Sequence, residues 1–102
     1  MRVQRLPKAA GTAHIRVAGE LDLATAELLD AAIAGAMDER PERLVVDLEG
    51  VTFAGSQLVH ALENAQKLMG ERRSGVRVVR PSRSAMRLLA ICDLDHLYAD
   101  RP

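Results

Sequence analysis

The chain has 102 residues, a length at which one domain buries most of its apolar surface without metal or disulfide. One Phe, one Tyr and no Trp force an aliphatic core and exclude the aromatic platforms on which single-stranded nucleic acid stacks. Basic and acidic residues number 14 each, so no long-range field draws the chain toward phosphate backbones or anionic membranes.

The lone cysteine, Cys92, cannot close an intrachain disulfide. The N-terminal "MRVQRLPKAAG" lacks the apolar run of a secretory signal, and no window approaches the roughly 18 apolar residues of a membrane span. The expectation is a single domain over residues 1–102, cytoplasmic, with neither nucleic acid nor membrane as partner.

In chain order, "RVQRL" (2–6) reads as a short edge strand, and "PKAAGT" as a connection. "HIRVAGELD" alternates Ile15 and Val17 against His14 and Arg16, the period of a strand with one buried face, paired antiparallel with the first. Asp22 is the expected N-cap of a helix whose stripe is Leu28, Leu29, Ala32, Ile33, Ala36 and Met37, ending before Pro41. "RLVVDLEGV" is a β-branched run without alternation, suited to a central strand covered on both faces.

From Leu58 the apolar positions Leu58, Ala61, Leu62, Ala65, Leu68 and Met69 follow helical spacing. Ser56 stands about 160° from Leu58 on that wheel, on the outer face with His60, Glu63 and Lys67. "GERRSG" breaks this helix and "VRVV" forms a strand. Ser82 then caps a helix with Ala85, Leu88, Leu89 and Cys92 on its core face, and Leu94 and Leu97 pack as a last turn. The order of elements predicts an α/β domain with an opening β-hairpin and a mixed, mostly parallel sheet of four to five strands packed with helices.

Four segments in this order resemble the STAS domain of bacterial anti-sigma factor antagonists. They are "VAGELDLATAELL", "LVVDLEGVTF", "VRVVRPSRSAMRLL" and "CDLDHLY". The family's switch reads Asp, Ser, Ser/Thr/Ala, Gly, Leu after an aromatic and an apolar residue. Aligned without a gap from Phe53, this chain offers Gly55, Ser56, Gln57, Leu58 and Val59, with Gly55 in place of the Asp and Leu58 in place of the Gly. A one-residue deletion would instead shift Ser56 off the phosphoacceptor position. The gapless alignment is preferred because the same offset matches "SRSAMRLL".

The resemblance implies binding to an anti-sigma factor that doubles as a serine kinase, phosphorylation of Ser56 that ends the complex, and a phosphatase as a further partner. The partner surface it implies comprises Asp22, Gly55, Ser56, Gln57, Val59 and His60, on a monomer or weak dimer without cofactor or catalysis. The alternative is a STAS adaptor or assembly module whose switch loop is not phosphorylated.

Other readings of the same residues are structural. Ser56 is also a natural helix N-cap. A Ser56/His60 nucleophile pair lacks an orienting carboxylate and a nucleophile elbow. His14, His60 and His96 lack metal-ligand spacing. Cys92 reads as a buried small hydrophobe, and Asp93 as a residue able to take the left-handed conformation at a helix end. Arg72, Arg73, Arg80 and Arg83 read as solvated loop charges rather than a phosphate site.

Overall fold

The computed structural model describes residues 2–70 and 75–98, without the side chains at positions 8 and 9. Strands β1 (Arg2–Ala9) and β2 (Thr12–Leu21) form the expected antiparallel hairpin. Its turn is Ala10–Gly11, with φ of 54° and 80°, and positive φ at both central positions gives the twist that flanking strands require. The first strand runs past the predicted end at Leu6, through Pro7. At the sheet edge a proline gives up no ladder hydrogen bond, and the register shifts between Leu6 and Ala9 absorb the irregularity.

Helix α1 (Ala26–Met37) leads to β3 (Arg43–Ala54), α2 (Ser56–Met69), β4 (Val76–Val79) and α3 (Arg83–Ile91), followed by a 3-10 turn at Asp95–Leu97. The sheet order is β1-β2-β3-β4, with β3 parallel to both β2 and β4. Among the described residues the sheet has four strands. Beyond them there is an isolated bridge between Val78 and Tyr98 rather than a fifth strand.

The core is aliphatic, as the composition requires. Ile15, Val17, Leu44, Val46 and Val78 of the sheet are fully buried with Leu29 and Ile33 of α1 and Leu58, Leu62 and Ala65 of α2. Helix α1 packs over β1 and β2 and against α2, while α3 packs on β3. Two residues of the expected stripes, Leu28 and Leu68, are exposed. Each stands roughly 80–100° from the middle of its buried stripe, at the border where a helix turns away from the sheet.

Ser82 caps α3 as expected, its Oγ accepting from Ala85 N at 3.2 Å. At the other end Leu94 N donates to Leu89 O at 2.8 Å and Asp93 N to Ala90 O at 3.3 Å. This pattern needs a left-handed residue between, and Asp93 takes it with φ of 60°. Cys92 is the exposed C-cap of α3 rather than a core residue. The helix ends at Ile91, so the periodicity that assigned Cys92 to the buried face stops one residue short of it.

The sequence reading did not single out Asp47. Its side chain is 1% exposed on β3, beneath an ion pair with Arg80, 3.8 Å from Arg16 Nε and accepting from Glu49 N at 3.0 Å. Burial alone favours the protonated acid. The Glu49 N–H, the Arg80 hydrogen bond and the charges of Arg80 and Arg16 outweigh it and hold the carboxyl below its ordinary range.

Candidate functional site: the Ser56 helix start

In open parallel sheets, ligands and partners meet the carboxyl ends of the strands. Here β2 and β3 end together: Glu20 pairs with Phe53 and Leu21 with Ala54, and Gly55 N donates to Leu21 O at 3.2 Å. This bond joins the loop that begins at Asp22 to the loop that begins α2. The two segments, 33 positions apart, thereby form one surface.

The start of α2 differs from the capping reading. Gly55 is the N-cap, in extended conformation, its carbonyl accepting from Leu58 N at 3.0 Å, and Ser56 is the first helical residue. Since Gly55 has no side chain, the cap carries no side-chain hydrogen bond. The Ser56 hydroxyl, one position too late to cap, is exposed and makes no side-chain hydrogen bond among the described residues.

Asp22 is likewise not the N-cap, which is Thr25. A turn over residues 22–25 intervenes: Thr25 N and Ala26 N both reach Asp22 O, at 3.2 and 2.9 Å. Within it the Asp22 carboxylate accepts from Thr25 N at 3.2 Å, and the Thr25 hydroxyl accepts from Asp22 N at 3.1 Å. Asp22 is therefore a half-buried, oriented carboxylate in the loop tied to Gly55. "DLAT" offers two residues able to cap, and the backbone turn decides between them.

Of the remaining candidates, His60 lies exposed one turn after Ser56 and Gln57 is half-buried. A Cβ on Gly55 would stand 2.9 Å from Gln57 Oε1 and 3.8 Å from Phe53 Cε2, so the Gln57 amide and the Phe53 ring both close over this glycine. Val59 is 9% exposed and packs into the core. It holds the helix down and offers little surface to a partner. The outer face of α2 continues as a shallow groove of about 470 Å³ lined by His60, Glu63, Asn64 and Lys67.

No side-chain hydrogen bond joins Ser56 to His60, and among the described residues no three potential metal ligands cluster. Arg80 is tied to Asp47, and Arg83 is exposed; Arg72 and Arg73 lie outside the described residues. Sequence reasoning missed Phe53. The chain's only phenylalanine is 54% exposed, with its ring over Gly55, while the core is left to aliphatics. That scarcity was the available signal: one of only two aromatic residues falls three positions before the candidate serine.

Solved structures share this architecture. An anti-sigma factor antagonist from Mycobacterium paratuberculosis superposes with a TM-score of 0.82 at 28% identity, over 96% of this chain and 84% of that one. The anti-sigma factor antagonist SpoIIAA in its unphosphorylated form superposes at 0.83, over 99% of this chain and 89% of that one. At 21% identity, this second likeness is one of fold alone.

In sequence, 61 residues are 36% identical to the anti-sigma-F factor antagonist RsfB of Mycobacterium tuberculosis, covering 60% of this chain and 50% of that protein. The family model described as "Mlab, STAS domain" matches residues 5–99. Spanned almost end to end by that model and folded like its solved relatives, the chain belongs to the STAS domain family.

Proposed function

We propose that the protein is an anti-sigma factor antagonist. It binds an anti-sigma factor with serine kinase activity through the surface joining Asp22 to the start of α2, and phosphorylation of Ser56 switches it off. The carrying observation is the Ser56 hydroxyl: exposed, released from capping by Gly55, and backbone-linked to the Asp22 loop.

The first turn of α2 contains no acidic residue. A phosphoserine at its first position gains about 0.3–2 kcal/mol from the positive helix end, so the fold survives modification. The complex does not, because about −1.5 to −2 of charge enters a surface that docked around a neutral hydroxyl. Phe53 supplies the apolar contact of that surface, since exposed aromatics concentrate binding energy. In this reading the domain is a binding module without catalysis, and a phosphatase resets it.

The test is mass spectrometry after incubation with the cognate anti-sigma kinase and ATP. One phosphate on Ser56, absent in Ser56→Ala, is expected. An unmodified chain that binds the same factor equally well as Ser56→Ala and Ser56→Asp would instead make it a constitutive adaptor. Gly55, standing where the family's Asp is found, is the observation favouring that second reading.

A further inference from the structure

Charge is unevenly spread over this neutral chain. Glu27 and Asp30 on α1 and Asp38 at its C-cap are exposed, and on α3 so are Arg83 and Arg87. None of the five forms an ion pair among the described residues. The two most exposed large hydrophobics described prolong these stripes: Leu23, 78% exposed, in the turn before α1, and Ile91, 74% exposed, at the end of α3. Positions 27 and 30 of α1 step by three residues, and positions 83, 87 and 91 of α3 by four and four, each following one strip of helical surface, and Leu23 stands four residues before Glu27 in the turn that enters α1. Helix α1 covers β1 and β2, whereas α3 packs on β3, so the stripes lie toward opposite ends of the sheet.

We propose that α3 of one copy docks antiparallel on α1 of a second copy, so that the chain self-associates head to tail. Ile91 then meets Leu23, Arg87 meets Glu27 and Arg83 meets Asp30, because both ladders climb by about 4.5–6 Å per step. The exposed Ala31 of α1 and Ala90 of α3 let the axes approach closely. Antiparallel docking also sets the C-terminal end of α3 beside the N-terminal end of α1, a favourable meeting of opposite dipole ends. The contact joins two different surfaces, so copies add on as an open chain or ring rather than closing as a symmetric pair. A single helix pair buries less than the roughly 1,200 Å² of a stable interface, so the association is weak and governed by salt.

Sedimentation equilibrium of the full chain tests this. In dilute buffer at about 1 mM protein, the weight-average mass is expected to rise at least about 1.5-fold above that of the monomer and to return to it at about 0.5 M salt. The monomer mass is 11.1 kDa. The double variants Arg83→Gln/Arg87→Gln and Glu27→Gln/Asp30→Asn, both at exposed positions, should each remain monomeric at low salt with unchanged circular dichroism. Mixed one to one, they should recover pairs but nothing larger, since each keeps one intact surface. A wild-type chain that stays monomeric, association that survives both double variants, or a mixture that fails to pair would overturn the proposal.

Discussion

Replacing Asp47 by Asn tests whether the buried carboxylate holds the middle of β3 to the turn entering α3. The amide still accepts from Glu49 N, but it turns a neutral group toward the Arg80 guanidinium. The loss is one charge-assisted hydrogen bond from a site 1% exposed, about 2 kcal/mol. Arg16, 3.8 Å away and itself half exposed, adds little. For a domain of this size the melting temperature should fall by about 8–16 °C at neutral pH.

The pH dependence has a definite sign. The folded carboxyl titrates below its ordinary value of 3.8, so between the two pKa values the unfolded chain binds more protons. The stabilisation is therefore complete above 3.8 and lost as pH falls through the folded value. Thermal unfolding by circular dichroism at about pH 7 and about pH 2.5 should show the gap between wild type and Asp47→Asn shrinking in acid. A gap under about 3 °C at neutral pH, or one of equal size at both, would mean that the Asp47 charge does not hold these elements together.

Three further substitutions probe the site and its supports. Gly55→Asp presses closely on the far end of the Gln57 side chain alone, with Phe53 at ordinary contact distance, at a backbone φ of −102°, so it should raise unfolding free energy in urea by about 0.5–1 kcal/mol through capping and dipole. Asp93→Gly relieves a left-handed residue with φ of 60° and should stabilise by about 1 kcal/mol in the same assay. Phe53→Ala should leave stability within about 0.5 kcal/mol of wild type. By calorimetry, it should weaken binding to the proposed anti-sigma factor partner by about 1–2 kcal/mol.

Local pattern along the chain was enough to set the class of fold. Period-2 alternation in "HIRV", the helical stripe from Leu58, and turn residues between them follow from local geometry, and together they ordered the strands and helices. Ser56 was also legible as an outward serine, because its wheel position depends only on helix pitch. Local pattern could not decide which of several capable residues caps a helix. Asp22 yielded to Thr25 and Ser56 to Gly55 through backbone turns whose dihedrals the residue types permit but do not impose.

Long-range effects were hidden for a different reason. Asp47 looked like one acidic residue in an apolar run until β2 and the turn after β4 brought Arg16 and Arg80 to it. The surface joining Asp22 to Ser56 exists because β2 and β3 are in parallel register and end side by side. Pairing across 33 positions of chain is a property of tertiary packing, which no window of the sequence contains.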